Sequence, residues 1–122
     1  MSNEVNLMKH QTEVYISLPN VLHDYVSSLS DVNLVNKSSI FRQMIYYVYK
    51  NNLFNDVIDD SLVSSIKQPV SQKSTYIKLP VVLNDFICDI SNDLHISKSA
   101  FIRYIVNYFY QKNKQIGVEF NV

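Results

Sequence analysis

Residues 12–19 alternate between apolar and polar side chains. Val14, Ile16 and Leu18 fall on one face, with Glu13, Tyr15 and Ser17 on the other. Period two with β-branched and aromatic residues predicts a half-buried strand. From Pro19 the period changes. Val21, Leu22, Tyr25, Val26 and Leu29 recur at helical spacing and form one stripe of an amphipathic helix. The proline suits the first turn of that helix. A second stripe, Ile40, Phe41, Met44, Ile45 and Val48, follows Asn36-Lys37-Ser38-Ser39. Asn36 is a good N-cap, because its side chain can accept from the exposed N–H groups of the first turn.

The same pattern then returns. Residues 12–52 and 73–113 align without a gap at an offset of 61, from Tyr15 to Tyr76 and from Arg42 to Arg103. Identical pairs run along the whole alignment, including Ile16/Ile77, Pro19/Pro80, Asp24/Asp85, Ser38/Ser99 and Tyr49/Tyr110. In the second copy Thr75, Ile77 and Leu79 oppose Ser74, Tyr76 and Lys78. One helical stripe is Val82, Leu83, Phe86, Ile87 and Ile90. The next is Phe101, Ile102, Ile105, Val106 and Phe109, capped by Ser97. Each copy is predicted to be strand, helix, helix, the second helix ending near Asn52 or Asn113. A strand this short is not stable alone, and the obvious partner is its equivalent in the other copy. Two copies are too few for a solenoid; they read as a dimer written into one chain. Pairing within one chain and swapping between chains are both open.

The remaining segments are an N-terminal arm (1–11), a linker (53–72) and a tail (114–122). In the linker, Phe54, Val57, Ile58, Leu62, Val63 and Ile66 predict a short helix lying on the core, with Asp59 and Asp60 near its start. Pro69 marks a break. In the tail, Ile116, Val118, Phe120 and Val122 alternate with polar or small residues and predict a strand that joins another chain.

Composition narrows the class. A chain of 122 residues with 47% hydrophobic residues can form one domain with a real core. Its single glycine excludes a glycine-rich phosphate loop. The net charge is zero, so nucleic acid cannot be gripped by bulk charge. The first copy is neutral, the second has a surplus of cations, and acidic linker residues offset it. Lone Cys88 permits no internal disulfide and no cysteine-based zinc site. No signal peptide is visible at the N-terminus, and no apolar run reaches the roughly 20 residues of a membrane span. The expectation is a soluble cytoplasmic protein.

No paired carboxylates, Ser/His/Asp set or metal cluster is evident, so no catalytic residue, metal, cofactor or small-molecule substrate is expected. His10, His23 and His95 lack metal-ligand spacing and read as surface residues. Cys88 lies off the apolar stripe. The helical tyrosines, Tyr46, Tyr47, Tyr49, Tyr104, Tyr108 and Tyr110, read as core and core edge. Arg42 and Arg103, one turn into the second helices, suit a structural ion pair as well as a DNA contact.

The segments TYIKLPVVLNDFICDIS and HISKSAFIRYIVNYFY, and in parallel VYISLPNVLHDYVSSLS and LVNKSSIFRQMI, resemble the ribbon-helix-helix family (Arc/MetJ/CopG-like) of DNA-binding regulators. The likeness covers about two thirds of the chain, and the two copies look like tandem members found in archaeal viruses and plasmids. It implies an α+β, mostly helical fold: an intramolecular pseudo-dimer with a two-stranded antiparallel ribbon over a four-helix core. It implies a transcription regulator, most simply a repressor, bound to double-stranded DNA. The base-contacting positions fall on Glu13, Tyr15, Ser17, Ser74, Tyr76 and Lys78. The phosphate-contacting positions fall on Asn36, Lys37, Ser38, Ser97, Lys98 and Ser99. The chain departs from the family in its outward strand chemistry, since Glu13, Tyr15 and Tyr76 stand where arginine, threonine, asparagine or glutamine is common.

Physical chemistry supports the same picture independently. The major groove admits a two-stranded ribbon. Capped helix starts present partial positive charge to phosphates, which a neutral protein needs. Against it, the outward strand residues taken alone are equally compatible with plain solvated surface, and Lys37 and Lys98 with ordinary surface lysines. An antitoxin-like or assembly protein that binds a partner polypeptide is the alternative reading.

Overall fold

The computed structural model describes residues 11–58 and 72–116, with side chains described through residue 113. Among these residues the fold is α+β and mostly helical. In chain order it runs β1 (Thr12–Pro19), α1 (Asn20–Asn33), α2 (Lys37–Lys50), α3 (Phe54–Val57), β2 (Gln72–Leu79), α4 (Val81–Leu94) and α5 (Lys98–Ile116).

The two strands form one antiparallel sheet and nothing else joins it among the described residues. Glu13 lies opposite Lys78, Tyr15 opposite Tyr76, and Ser17 opposite Ser74. The register therefore pivots on Tyr15 and Tyr76, which are equivalent residues of the two copies. Every other pair exchanges equivalents: Glu13 faces Lys78 at one end, and their counterparts Ser74 and Ser17 face each other at the other.

The alternation sorts the ribbon's faces as expected. Val14, Ile16, Leu18, Ile77 and Leu79 are buried, while Glu13, Tyr15, Ser74, Tyr76 and Lys78 are exposed and Ser17 is half-buried. Beneath the ribbon the helices mix copies. α5 packs on β1 and α2 on β2, and α2 and α5 also meet each other. The stripes on α2 and α5 are the centre of the core, with Phe41, Met44, Ile45, Phe101, Ile102 and Ile105 at most 1% exposed. α1 and α4 close it through Leu22, Val26, Leu83 and Ile87.

Several details depart from expectation. Pro19 and Pro80 are the N-caps of α1 and α4 rather than first-turn residues. Val21 and Val82 are each 53% exposed, although Leu22 and Leu83 beside them in the same turn are buried, so the first turn meets the core through its leucines and leaves the valines facing out. Tyr46 is exposed with Lys50 over its ring at 5.9 Å. Tyr47 and Tyr49 are also exposed, yet lie edge-on to Phe109 and Phe86 across the copies. α5 continues past Asn113, so Ile116 ends a helix instead of opening a strand. The rest of the tail, 117–122, lies outside the described residues. So does most of the linker: only its first turn, α3, is described, and Val57 there is fully buried.

Helices α1 and α4 end alike. Leu34 and His95 take left-handed backbone, both with φ 57°. The following amides, of Val35 and Ile96, donate to Ser30 O at 3.2 Å and Ser91 O at 3.0 Å. This closes the helix as a left-handed C-cap and turns the chain sharply toward the next helix start. The position favours glycine or asparagine, and this chain uses neither. Leu34 is 91% exposed as well.

Candidate nucleic-acid interface

The outward ribbon face carries all six side chains assigned to base contact. Alternation places them there, because successive residues of a strand point to opposite faces. At the centre the rings of Tyr15 and Tyr76 meet edge-on, 5.2 Å between centroids and 62° between planes. The Tyr15 hydroxyl lies 2.6 Å from Ser74 Oγ. Ser17 Oγ donates to Gln72 Oε1 at the same end. Serine hydroxyls and an amide thus occupy one end, and Glu13 opposite Lys78 occupies the other.

The helix starts assigned to phosphate flank this face. Asn36 Oδ1 accepts from the Ser39 N–H at 2.8 Å, and Ser97 Oγ from the Ala100 N–H at 3.0 Å. Both residues are therefore caps, as expected. The first amides of each helix have no intrahelical acceptor and carry the positive end of the dipole. Lys37 is exposed, and Lys98 is half-buried with its ammonium donating to Asn84 Oδ1 at 3.4 Å. Ser99 also reaches across the copies. Its Oγ accepts from the Ser17 N–H at 3.1 Å, which pins the start of α5 to β1. A cleft opens where the Glu13/Lys78 end of the ribbon meets the start of α2. Gln11, Glu13, Asn36, Ser38, Arg42, Tyr76, Lys78 and Pro80 line it. Both helix starts thus adjoin the ribbon, one at each end.

Arg42 and Arg103 take a role that sequence reasoning did not reach. Arg42 Nη1 donates to the Lys78 carbonyl at 3.3 Å, and Arg103 Nη1 to the Ser17 carbonyl at 3.4 Å. Lys78 and Ser17 are equivalent residues, so each arginine ties its helix to the other copy's strand by the same bond. The signal was the identity of the two arginines across the repeat. The acceptor is backbone of the opposite copy, which no local spacing reveals.

His23 is only half-buried, but its Nδ1 is buried without a hydrogen-bond partner. Burial holds its pKa below the ordinary 6.5, Lys37 and Lys73 lower it further, and Asp24 partly offsets them. Its counterpart in the second copy is Asn84, the acceptor for Lys98. The position beside the helix-start lysine is therefore an acceptor in one copy and a titratable ring in the other.

Among the described residues no group of three His, Cys, Asp or Glu side chains could hold a metal ion. No helix among them is long and apolar enough to cross a membrane. No family model, curated protein or solved structure matches the chain.

Proposed function

We propose that this chain is a sequence-specific regulator of transcription that binds double-stranded DNA and acts as a repressor by occluding a promoter. In this reading the two copies form an intramolecular ribbon-helix-helix pseudo-dimer, working in the cytoplasm, with chains associating side by side on DNA. One observation carries it: a two-stranded ribbon with six polar or aromatic side chains outward, flanked at both ends by capped helix starts. A ribbon of this width fits the major groove and offers its outward side chains to base edges. The helix starts then meet the phosphates on either side and set register. The register centred on Tyr15 and Tyr76 supports the two-fold arrangement that such docking uses.

Selection of duplexes from a random pool, followed by anisotropy titration, tests the reading. A selected duplex is expected to bind roughly 10³-fold or more tighter than random duplex, as specific regulators do. Lys37→Glu with Lys98→Glu weakens binding to all duplexes alike. Equal affinity for selected and random DNA refutes the reading.

A second reading is favoured by one observation. Val32 and Leu34 are 65% and 91% exposed, where the second copy carries Asp93 and His95. An antitoxin-like or assembly module would use such an apolar spot to bind a partner polypeptide. Co-purification of a second chain that Leu34→Asp abolishes would favour it.

A further inference from the structure

The outward face of the ribbon has a direction. In a ribbon made by two identical chains each outward residue appears twice, once at either end. Here the pivot pair Tyr15 and Tyr76 is the last symmetric feature. On one side of it Glu13 and Lys78 lie directly opposite each other, both exposed. On the other side the same two positions are Ser74 and Ser17. The pivot itself leans: the Tyr15 hydroxyl is held by Ser74 at 2.6 Å, while Tyr76 lines the cleft with Glu13 and Lys78.

We infer that one chain reads a non-palindromic site whose G·C-selective end lies under Glu13 and Lys78. The inference rests on the DNA-binding reading and names its specificity. An ammonium donates to guanine O6 and N7, and a carboxylate accepts from cytosine N4–H. One group on each strand of the ribbon, facing across it, matches the two bases of a G·C pair. Glu13 also repels phosphate, so it adds discrimination rather than affinity. The exposed tyrosine rings at the pivot present apolar edges suited to the thymine methyl. Ser17 and Ser74 are short and already bonded to Gln72 and Tyr15, so they read weakly. The chain therefore binds its site in one orientation, charged end toward the G·C pair, and the protein as a whole points one way along the DNA.

The test selects duplexes of about one helical turn (~10.5 bp), too short for two chains, from a random pool. The expected site is asymmetric, with G·C at one end. Lys78→Ala is expected to lose about 5- to 140-fold in affinity for that site and to relax the G·C end alone. Glu13→Ser with Lys78→Ser makes both ends alike and is expected to yield a palindrome without the G·C end. These residues are exposed, so an unchanged melting curve confirms folding. Conversely, Ser74→Glu with Ser17→Lys is expected to yield a palindrome with G·C at both ends. A symmetric site for the unaltered chain, or selective binding that Lys78→Ala leaves unchanged, overturns the inference while leaving DNA binding intact. A pool that shows no enrichment overturns the DNA-binding reading and the inference with it.

Discussion

Replacing Ile16 with alanine tests whether the ribbon is a shared core element of both copies. Ile16 is fully buried on the inner face of β1, opposite Thr75 and beneath the pivot. The change removes three carbons. At about 0.8 kcal/mol per buried methylene, transfer alone accounts for ~2.4 kcal/mol. The cavity left under the ribbon adds to that, because α5 of the other copy packs on β1 and cannot collapse into the space without leaving α2. The expected loss is about 3–4 kcal/mol, within the range for Ile→Ala in cores. A domain this size has on the order of 6–15 kcal/mol of stability, so the variant folds but melts early. Urea unfolding followed by far-ultraviolet circular dichroism reads the helices of both copies at once. One transition is expected, at a lower midpoint and with an unchanged slope. A plateau at partial helicity, with the second copy's helices surviving, refutes the shared core. So does a loss below about 1 kcal/mol, the size of an ordinary surface change.

Arg103→Met should cost about 1–2 kcal/mol in the same urea assay, since it removes a charge-assisted bond to the Ser17 carbonyl that is partly open to water. Arg42→Met should behave alike, and no change in either would mean that the cross-copy bonds add nothing to stability. On DNA, the slope of log affinity against log salt should be near −4, because few cations flank the ribbon and helix starts release no counterions. A measured slope near −10 would mean a large basic surface. For pH, the folded pKa of His23 lies below its unfolded 6.5. The unfolded chain therefore takes the proton first, so this contribution is complete above 6.5 and is lost as pH falls from there toward the folded value. His23→Asn should flatten that decline in the urea midpoint as pH falls below 6.5; an identical decline in the variant would show that another group is responsible.

Alternation in 12–19 and 74–79 was enough to say which side chains face out, because a strand's period leaves two choices and the apolar set decides between them. The caps Asn36 and Ser97 were legible for the same reason: capping is local, spanning three residues. Three features were not legible. Val21 and Val82 fit the helical stripe by spacing, but their exposure depends on which side of the first turn faces the core, and there Leu22 and Leu83 take the buried places. The second-helix tyrosines read as one group, yet Tyr46 is exposed where Asn107, its counterpart, is buried. That difference depends on what packs opposite each helix. Finally, the bonds from Ser99, Arg42 and Arg103 to the other copy's strand join residues far apart in sequence. The repeat marked all three residues as shared, but a shared residue does not reveal its partner.

Strand pairing inside one polypeptide changes how the protein meets dilution and mutation. Two halves that meet as separate molecules come apart when scarce, and each coding change strikes both at once. Here the partner strand is always attached, so a cell holding a handful of molecules holds that many complete ribbons. A base change in the gene alters one end only. Glu13 stands against Ser74 and His23 against Asn84 at equivalent positions, so neither half has to fit an identical copy of itself.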